Sequence, residues 1–427
     1  MLIELNWLRY LIETKTLAVE VVDEKKLFND IEALKTVSDT DFQRIKEFEK
    51  TLRHDIKAVE YYIKERLENL GYSAAIRECV HFLCTSEDIN NLAYSLMVKD
   101  FKDDILLKQI GNTIQELKTL AITYKNLPMI ARTHGQPATP TTLGKELANF
   151  TYRLWRMSEK IRKQAFMGKM NGAVGNYNAH YVVDSKVNWI EKSKDFIENK
   201  LGLTFNYFST QIEPHDTLAE FFTELSHLNT ISIGMCQDMW QYISREYFKQ
   251  KVKQGEVGSS IMPHKVNPID FENAEGNLGL ANSFLDFFSR KLPISRFQRD
   301  LSDSTVLRNI GVAMGHTMLA FKSIMRGLGR LEVNKAVIEK ELDEHWEVLA
   351  EPIQQVLRQL GCQGAYESLK EFSRGRKIDK EGLQGFIEKL DIPEAQKQKL
   401  RELRPDTYIG VAGQLVDELD RIMGQSN

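Results

Sequence analysis

Residues 85–97 read TSEDINNLAYSLM, and this stretch decides the fold class. Thr85 or Ser86 can accept backbone N–H bonds at a helix start, and Glu87 and Asp88 suit the positive end of the helix dipole. Ile89, Leu92, Ala93, Leu96 and Met97 follow at three/four spacing. The apolar stripe continues through Ile110, Ile114, Leu117, Ala121 and Tyr124 until Pro128 ends it. A helix of that reach is roughly 60 Å long at about 1.5 Å per residue. Working outward, a second stripe runs from Pro214 through Leu218, Phe221, Leu225, Leu228, Ile231, Met235 and Met239. A third spans about residues 142–166, and a fourth follows Ser302. Helices of this length with charge on the far face usually belong to bundles or coiled coils. One chain cannot satisfy so many stripes internally, so some are expected to face other subunits.

Alternating β-branched runs are almost absent, so the expected class is all-α. Three domains are predicted: a helical N-terminal domain over 1–72, a central long-helix bundle over 73–328, and a small helical domain over 329–427. The last part carries breakers at Gly361, Gly364, Gly375, Pro393 and Pro405. At the start, Leu2, Leu5, Leu8 and Leu11 are already in helical register with no N-cap residue ahead of them.

With 427 residues, 42% hydrophobic and 27% charged, the chain has an ordinary globular composition. Its 57 basic and 60 acidic residues leave a formal charge of −3, which gives no footprint for nucleic acid or an anionic membrane. No apolar run is long enough to span a bilayer, and Met1 leads into no signal-peptide pattern. Cys79, Cys84, Cys236 and Cys362 show no metal-ligand spacing, which predicts a reduced cytoplasmic protein without structural zinc or disulfides.

Polar clusters lie between the stripes. Residues 255–273, GEVGSSIMPHKVNPIDFEN, combine chain-breaking Gly and Pro with Ser259, Ser260, His264, Lys265 and Asn267, and read as a loop that carries chemistry. Arg53-His54-Asp55 with Lys57 would place Arg53 and Lys57 on one helix face as an anion clamp, and equally suits a solvated face with a local ion pair. Thr85-Ser86 can cap a helix and bind an anion at once. In Arg132-Thr133-His134-Gly135-Gln136-Pro137-Ala138-Thr139-Pro140 an irregular polar turn can hold His134 in one tautomer. Arg299, Ser304, Thr305 and Arg308 surround an expected helix start and offer hydroxyls and guanidinium groups to a phosphate. Gln211 precedes Glu213-Pro214-His215-Asp216 and can offer an amide. The run from Asn171 to Asn178 reads as a close backbone approach.

These segments together carry a resemblance. The loop matches Gly-Ser-Ser-x-Met-Pro-x-Lys-x-Asn-Pro. With RHDIKAVEYYIKE, HFLCTSEDINNLA, RTHGQPATPTTLGKELAN, GKMNGAVGNYNAH, TQIEPHD and QRDLSDSTVLRN it resembles the adenylosuccinate lyase branch of the fumarase/aspartase superfamily over nearly the whole chain. His264 marks that branch, because fumarases and aspartases carry Gly there and argininosuccinate lyases Gln.

The resemblance implies a three-domain all-α fold whose long helices build the core of a homotetramer, with active sites shared between three subunits. It implies β-elimination of fumarate from adenylosuccinate, giving AMP, and from the succinylated aminoimidazole carboxamide ribonucleotide SAICAR, giving AICAR, with no metal or organic cofactor. Ser259 would be the general base, with Ser260 a rival that spacing does not separate, and His134 the general acid. The residues that would bind substrate are Arg53, His54, Asp55, Thr85, Ser86, Gln211, Lys265, Asn267, Asn273, Arg299, Ser304, Thr305, Val306, Leu307 and Arg308. Close family members begin with an added segment bearing Asp-Gly-Arg-Tyr, whose absence here predicts a shortened form with weakened substrate binding. Rival readings are another fumarate-releasing lyase, such as argininosuccinate lyase, or an inactive helical scaffold.

Overall fold

The helix that begins after Thr85 organises the chain. In the computed structural model, which describes residues 1–251, 262, 265–364, 367, 369–371 and 378–424, it starts at Ser86 with Thr85 as its N-cap. It runs through Asp100, continues as a π-helical segment Phe101–Leu106, and ends as Leu107–Thr123, ahead of Pro128. The other stripes become Leu143–Lys163 and Asp216–Ser244. The stripe after Ser302 is broken into Ser302–Leu307 and Ile310–Arg330. Another long helix, Ile269–Lys291, was hidden in sequence because Asn273, Gly276, Asn277, Gly279 and Asn282 dilute its apolar positions. The protein is all-α, with six short strands among the described residues.

The chain groups into two units, each assembled from three stretches. The first holds residues 1–107, 160–226 and 283–313. Its N-terminal helices Leu2–Glu13, Glu24–Leu34 and Asp55–Asn69 bury Leu5, Leu8, Ile12, Leu27, Ile31, Ile63 and Leu67 in one cluster. Leu5, Leu8 and Leu11 face inward as their spacing predicts, and Met1 supplies no side-chain cap. Below Ser86, the buried Asp88 carboxylate accepts from the backbone amides of Thr85 (2.8 Å), Asn171 (3.0 Å) and Gly172 (3.1 Å). It also pairs with Lys169 Nζ at 2.9 Å, both side chains being fully buried, and Lys169 donates on to Gly172 O. A buried charge is tolerated only with this degree of satisfaction.

The expected close approach at 171–178 is found at Gly175, and two glycines of this run have left-handed backbones. Gly172 and Gly175 have φ of +83° and +81°, and a Cβ on Gly175 would lie 2.6 Å from the Ser209 carbonyl oxygen. Next to this turn His180 sits edge-on between Tyr177 and Trp189. Burial lowers its pKa to about 4, which leaves the ring neutral.

The second unit holds residues 108–159, 227–282 and 314–424 of the described chain. Its small helices bury Trp346, Leu349, Ile353, Leu357, Leu383, Ile387 and Leu400 together. It also contains the antiparallel hairpin Pro128–Thr133 and Gln136–Thr142, and a pairing of Phe248–Gln250 with Leu331–Val333. The hairpin corrects the expectation of an irregular turn over 132–140. His134 (φ 54°) and Gly135 (φ 76°) form a two-residue turn, both in the left-handed region that suits the twist of the flanking strands.

Candidate active site

The predicted anion-binding residues converge in the first unit. An open cleft of about 830 Å³ is lined by Arg53, His54, Asp55, Thr85, Ser86, Gln211, Arg299, Ser304 and Arg308, with Glu49, Glu87, Asn90, Asp300 and Leu301. Arg53, His54, Thr85, Ser86 and Arg308 stand at or beside helix ends, while Gln211, Arg299 and Asp300 come from loops. Arg53 closes the helix Asp39–Leu52 in a left-handed conformation, φ 52°. His54 then caps the next helix, Asp55–Asn69. Arg53 and Lys57 therefore do not share a helix face. The expected clamp between them is replaced by a pair of Lys57 with Glu60 at 2.8 Å, outside the cleft.

The His54 cap fixes its tautomer. Nδ1 accepts from the Lys57 amide at 3.2 Å, so the ring proton sits on Nε2, which donates to Ser86 Oγ at 3.3 Å. The first and second sequence clusters thus meet directly. From the other side, Gln211 Nε2 donates to Ala173 O at 3.0 Å, and Gln211 Oε1 accepts from Arg299 Nη1 at 3.1 Å. Arg299 also pairs with the nearly buried Glu87 at 3.0 Å, and Glu87 accepts from Asn90. Arg53 and Arg308 have no ion-pair partner among the described residues, so their charge is available to a ligand. Three guanidinium groups and three hydroxyls share this recess with the carboxylates of Glu49, Asp55, Glu87 and Asp300, and guanidinium and hydroxyl groups of this kind are able to hold an anion.

Ser304 is held from behind. Its amide donates to Asp303 Oδ1 at 2.7 Å, and buried His215 reaches Asp303 Oδ2 at 3.4 Å. Burial alone would raise the Asp303 pKa. The hydrogen bond and charge of His215, with the Ser304 amide and Arg299, hold it below the ordinary carboxylate value.

The remaining predicted residues lie elsewhere. Thr305 is exposed beside this cleft, whereas Val306 and Leu307 are buried and leave only backbone to a ligand. His134, Lys265, Asn267 and Asn273 belong to the second unit. His134 is exposed in the hairpin turn, Lys265 is exposed, and Asn273 Oδ1 accepts from Ser323 Oγ at 2.8 Å. Ser259, Ser260 and His264 lie outside the described residues. Sequence reasoning gave Glu87 a dipole role and missed its place in the cleft. Its signal was Asn90 three residues on, one turn along the same face.

Comparison with known proteins identifies the fold and the family. Solved structures cover almost the whole chain at low identity, which fixes the fold. A 3-carboxy-cis,cis-muconate lactonizing enzyme from Pseudomonas putida superposes with a TM-score of 0.79 at 19% identity, covering 99% of this chain and 94% of its own. A fumarate lyase from Mesorhizobium sp. BNC1 gives 0.79 at 17% identity, covering 99% and 93%. Residues 11–281 match the lyase family model, so the chain belongs to the lyase family.

The narrower family follows from closer relatives. Residues 295–409 match the adenylosuccinate lyase C-terminal model. An adenylosuccinate lyase of Vibrio cholerae serotype O1 is 46% identical over 98% of this chain and 92% of its own length. Those of Escherichia coli K12 and Haemophilus influenzae are each 50% identical over 90% of this chain and 84% of theirs. The chain belongs to the adenylosuccinate lyase family.

Proposed function

We propose that this chain cleaves adenylosuccinate to AMP and fumarate, and SAICAR to AICAR and fumarate. Family membership supports the reaction. The observation that carries the site is the gathering of Arg53, Arg299 and Arg308 with Thr85, Ser86 and Ser304 in one cleft. Such a substrate carries two carboxylates and a phosphate, and a set of fixed cationic and hydroxyl donors is what it needs.

In the elimination, a base removes a proton from the succinyl carbon next to a carboxylate. That C–H pair becomes the new C=C bond, and the C–N bond breaks with its electrons going to nitrogen. The transient species carries extra charge on the carboxylate, so donors aimed at it lower the barrier. Ser259 is the assigned base, with Lys265 and Asn267 holding the succinyl carboxylates. His134, as imidazolium, protonates the departing nitrogen. Gln211, Asn273 and His54 serve the substrate as hydrogen-bond partners. The chemistry as written needs no metal or organic cofactor.

The working assembly in this reading is a cytoplasmic homotetramer with catalytic groups drawn from three subunits. Large apolar side chains left in solvent on the long helices support it: Trp240, Leu280, Phe287 and Leu319 are 44–54% exposed. The four cysteines are free thiols, in keeping with a reducing compartment. Among the described residues no helix is long and apolar enough to cross a membrane. Separate hydrophobic clusters near each end of the chain support domains over 1–72 and 329–427 around a central 73–328.

The test is to mix purified protein with adenylosuccinate, follow the ultraviolet change and quantify fumarate. Stoichiometric AMP and fumarate are expected. No product from a folded tetramer, with turnover of argininosuccinate instead, overturns the reading. Sedimentation of the same sample checks the assembly, and a monomer that turns over overturns the shared-site part.

A further inference from the structure

The hairpin turn that carries His134 is exposed, and a two-residue turn has little packing of its own to hold it. Beyond the Thr133–Gln136 pairing, among the described residues a side chain restrains the turn through Arg132, whose Nη1 donates to the Gly135 carbonyl at 3.0 Å. Arg132 is itself held by Glu341, on the helix Lys335–Asp343, through a hydrogen-bonded ion pair from Nη2 to Oε1. The other Glu341 oxygen accepts from the Tyr247 hydroxyl, and Arg245 approaches Oε1 at 3.5 Å. Both carboxylate oxygens are therefore fixed, and the carboxylate cannot swing away from Arg132.

Burial alone would weaken the charge on Arg132. Its hydrogen bonds to Glu341 and Tyr247 raise its pKa instead. A planar guanidinium can serve Glu341 and Gly135 at once in a way that a lysine cannot. Tyr247 leads directly into the strand Phe248–Gln250. One carboxylate is thus tied both to the acid-bearing turn and to the root of the segment that precedes the signature loop.

We infer that Glu341 is a positioning residue for the general acid. Acting through Arg132 and the Gly135 carbonyl, it holds the His134 turn in the geometry that delivers a proton to the departing nitrogen. This deepens the reading of His134 as general acid and rests on it. Glu341 touches no substrate, and its effect falls on kcat.

A second clamp on the same hairpin provides the control. Thr139 Oγ1 donates to Glu351, at the far strand and away from the turn. Loosening that contact perturbs the hairpin without touching the Arg132 restraint.

The experiment uses the full chain, with melting and sedimentation recorded for every variant and kcat and KM measured on adenylosuccinate. Glu341→Gln is expected to lower kcat about 10- to 100-fold, the range for a reacting group displaced by about 1 Å, with KM within about threefold. Arg132→Lys is expected to do the same, and it covers the case in which Glu341→Gln fails to fold. Glu351→Gln keeps kcat. In a His134→Asn background, Glu341→Gln adds nothing, because residues acting through one another are not additive.

Unchanged kcat in both Glu341→Gln and Arg132→Lys overturns the proposal. So does an equal loss in Glu351→Gln, or full additivity with His134→Asn. Failure of the underlying reading shows separately: a His134→Asn variant that keeps its kcat removes the general acid itself, whatever Glu341 does.

Discussion

The anion cleft and the His134 hairpin are built in opposite ways. The cleft stands on helix ends locked by fully buried charge. Asp88 and Lys169 pin the start of the Ser86 helix to the Asn171–Gly172 turn, and Gln211 and Arg299 are tied to that turn in series. The hairpin is a small two-stranded element, and its turn is steadied by the partly exposed Arg132–Glu341 pair. Binding groups seated on a buried framework keep their positions as long as that framework holds. A proton donor on a side-chain-braced turn can be moved without unfolding anything. Cleft variants should therefore show in stability and KM, and hairpin variants in kcat.

Asp88→Ala tests the framework most severely. It strands the Lys169 charge and three backbone amides, and should cost roughly 3–5 kcal/mol of stability in urea denaturation. A loss below about 1 kcal/mol would erase the contrast between the two regions.

Arg299→Ala removes a charged donor from the cleft wall. KM should rise about 10- to 100-fold, corresponding to roughly 1.5–3 kcal/mol for a hydrogen bond to a charged group. A fall confined to kcat would place Arg299 with the chemistry instead of with binding.

Gly175→Ala sharpens the comparison through the backbone. The new methyl group meets Ser209 O at 2.6 Å in a left-handed conformation, so about 1–3 kcal/mol of stability should go. An unchanged melting temperature would mean that the turn yields, and that the cleft wall is softer than its contacts imply.

The last effect is read by pH. Burial depresses His180 from 6.5 to about 4, so between those values the unfolded chain binds the proton and the folded chain does not. The contribution of His180 is present above pH 6.5 and is lost as pH falls toward 4, with a slope of at most about 1.4 kcal/mol per pH unit. His180→Phe should flatten that part of a stability profile. An equally steep profile in the variant would assign the slope to other groups.

Much of this was legible before the structure. An N-cap at Thr85 or Ser86, the stripe running on to Tyr124, and the stripes at 142–166 and 214–239 all declared themselves, because cap chemistry and 3.6-residue spacing are local signals; the structure gives the cap to Thr85. The cleft residues were found as clusters, and their convergence came from kinship. Arg53 was misplaced because the break before His54 has neither Gly nor Pro, and histidine is an unusual helix cap. The hairpin was masked by Pro128, Pro137 and Pro140, and by His-Gly standing where Asn-Gly is the usual signal. Glu341 could not be read at all, since its partner Arg132 lies 209 positions away.

The left-handed backbone of His134 has a consequence for how this gene can drift. That φ is disfavoured for most side chains, and Gly, Asn, Asp and His enter it at least cost. Of those, histidine alone titrates near neutrality. With His134 as the proposed general acid, the codon is filtered twice, once by conformation and once by proton chemistry, and the two filters share a single survivor. Alleles that relax the first filter forfeit the second, so neutral paths through position 134 are closed in that reading.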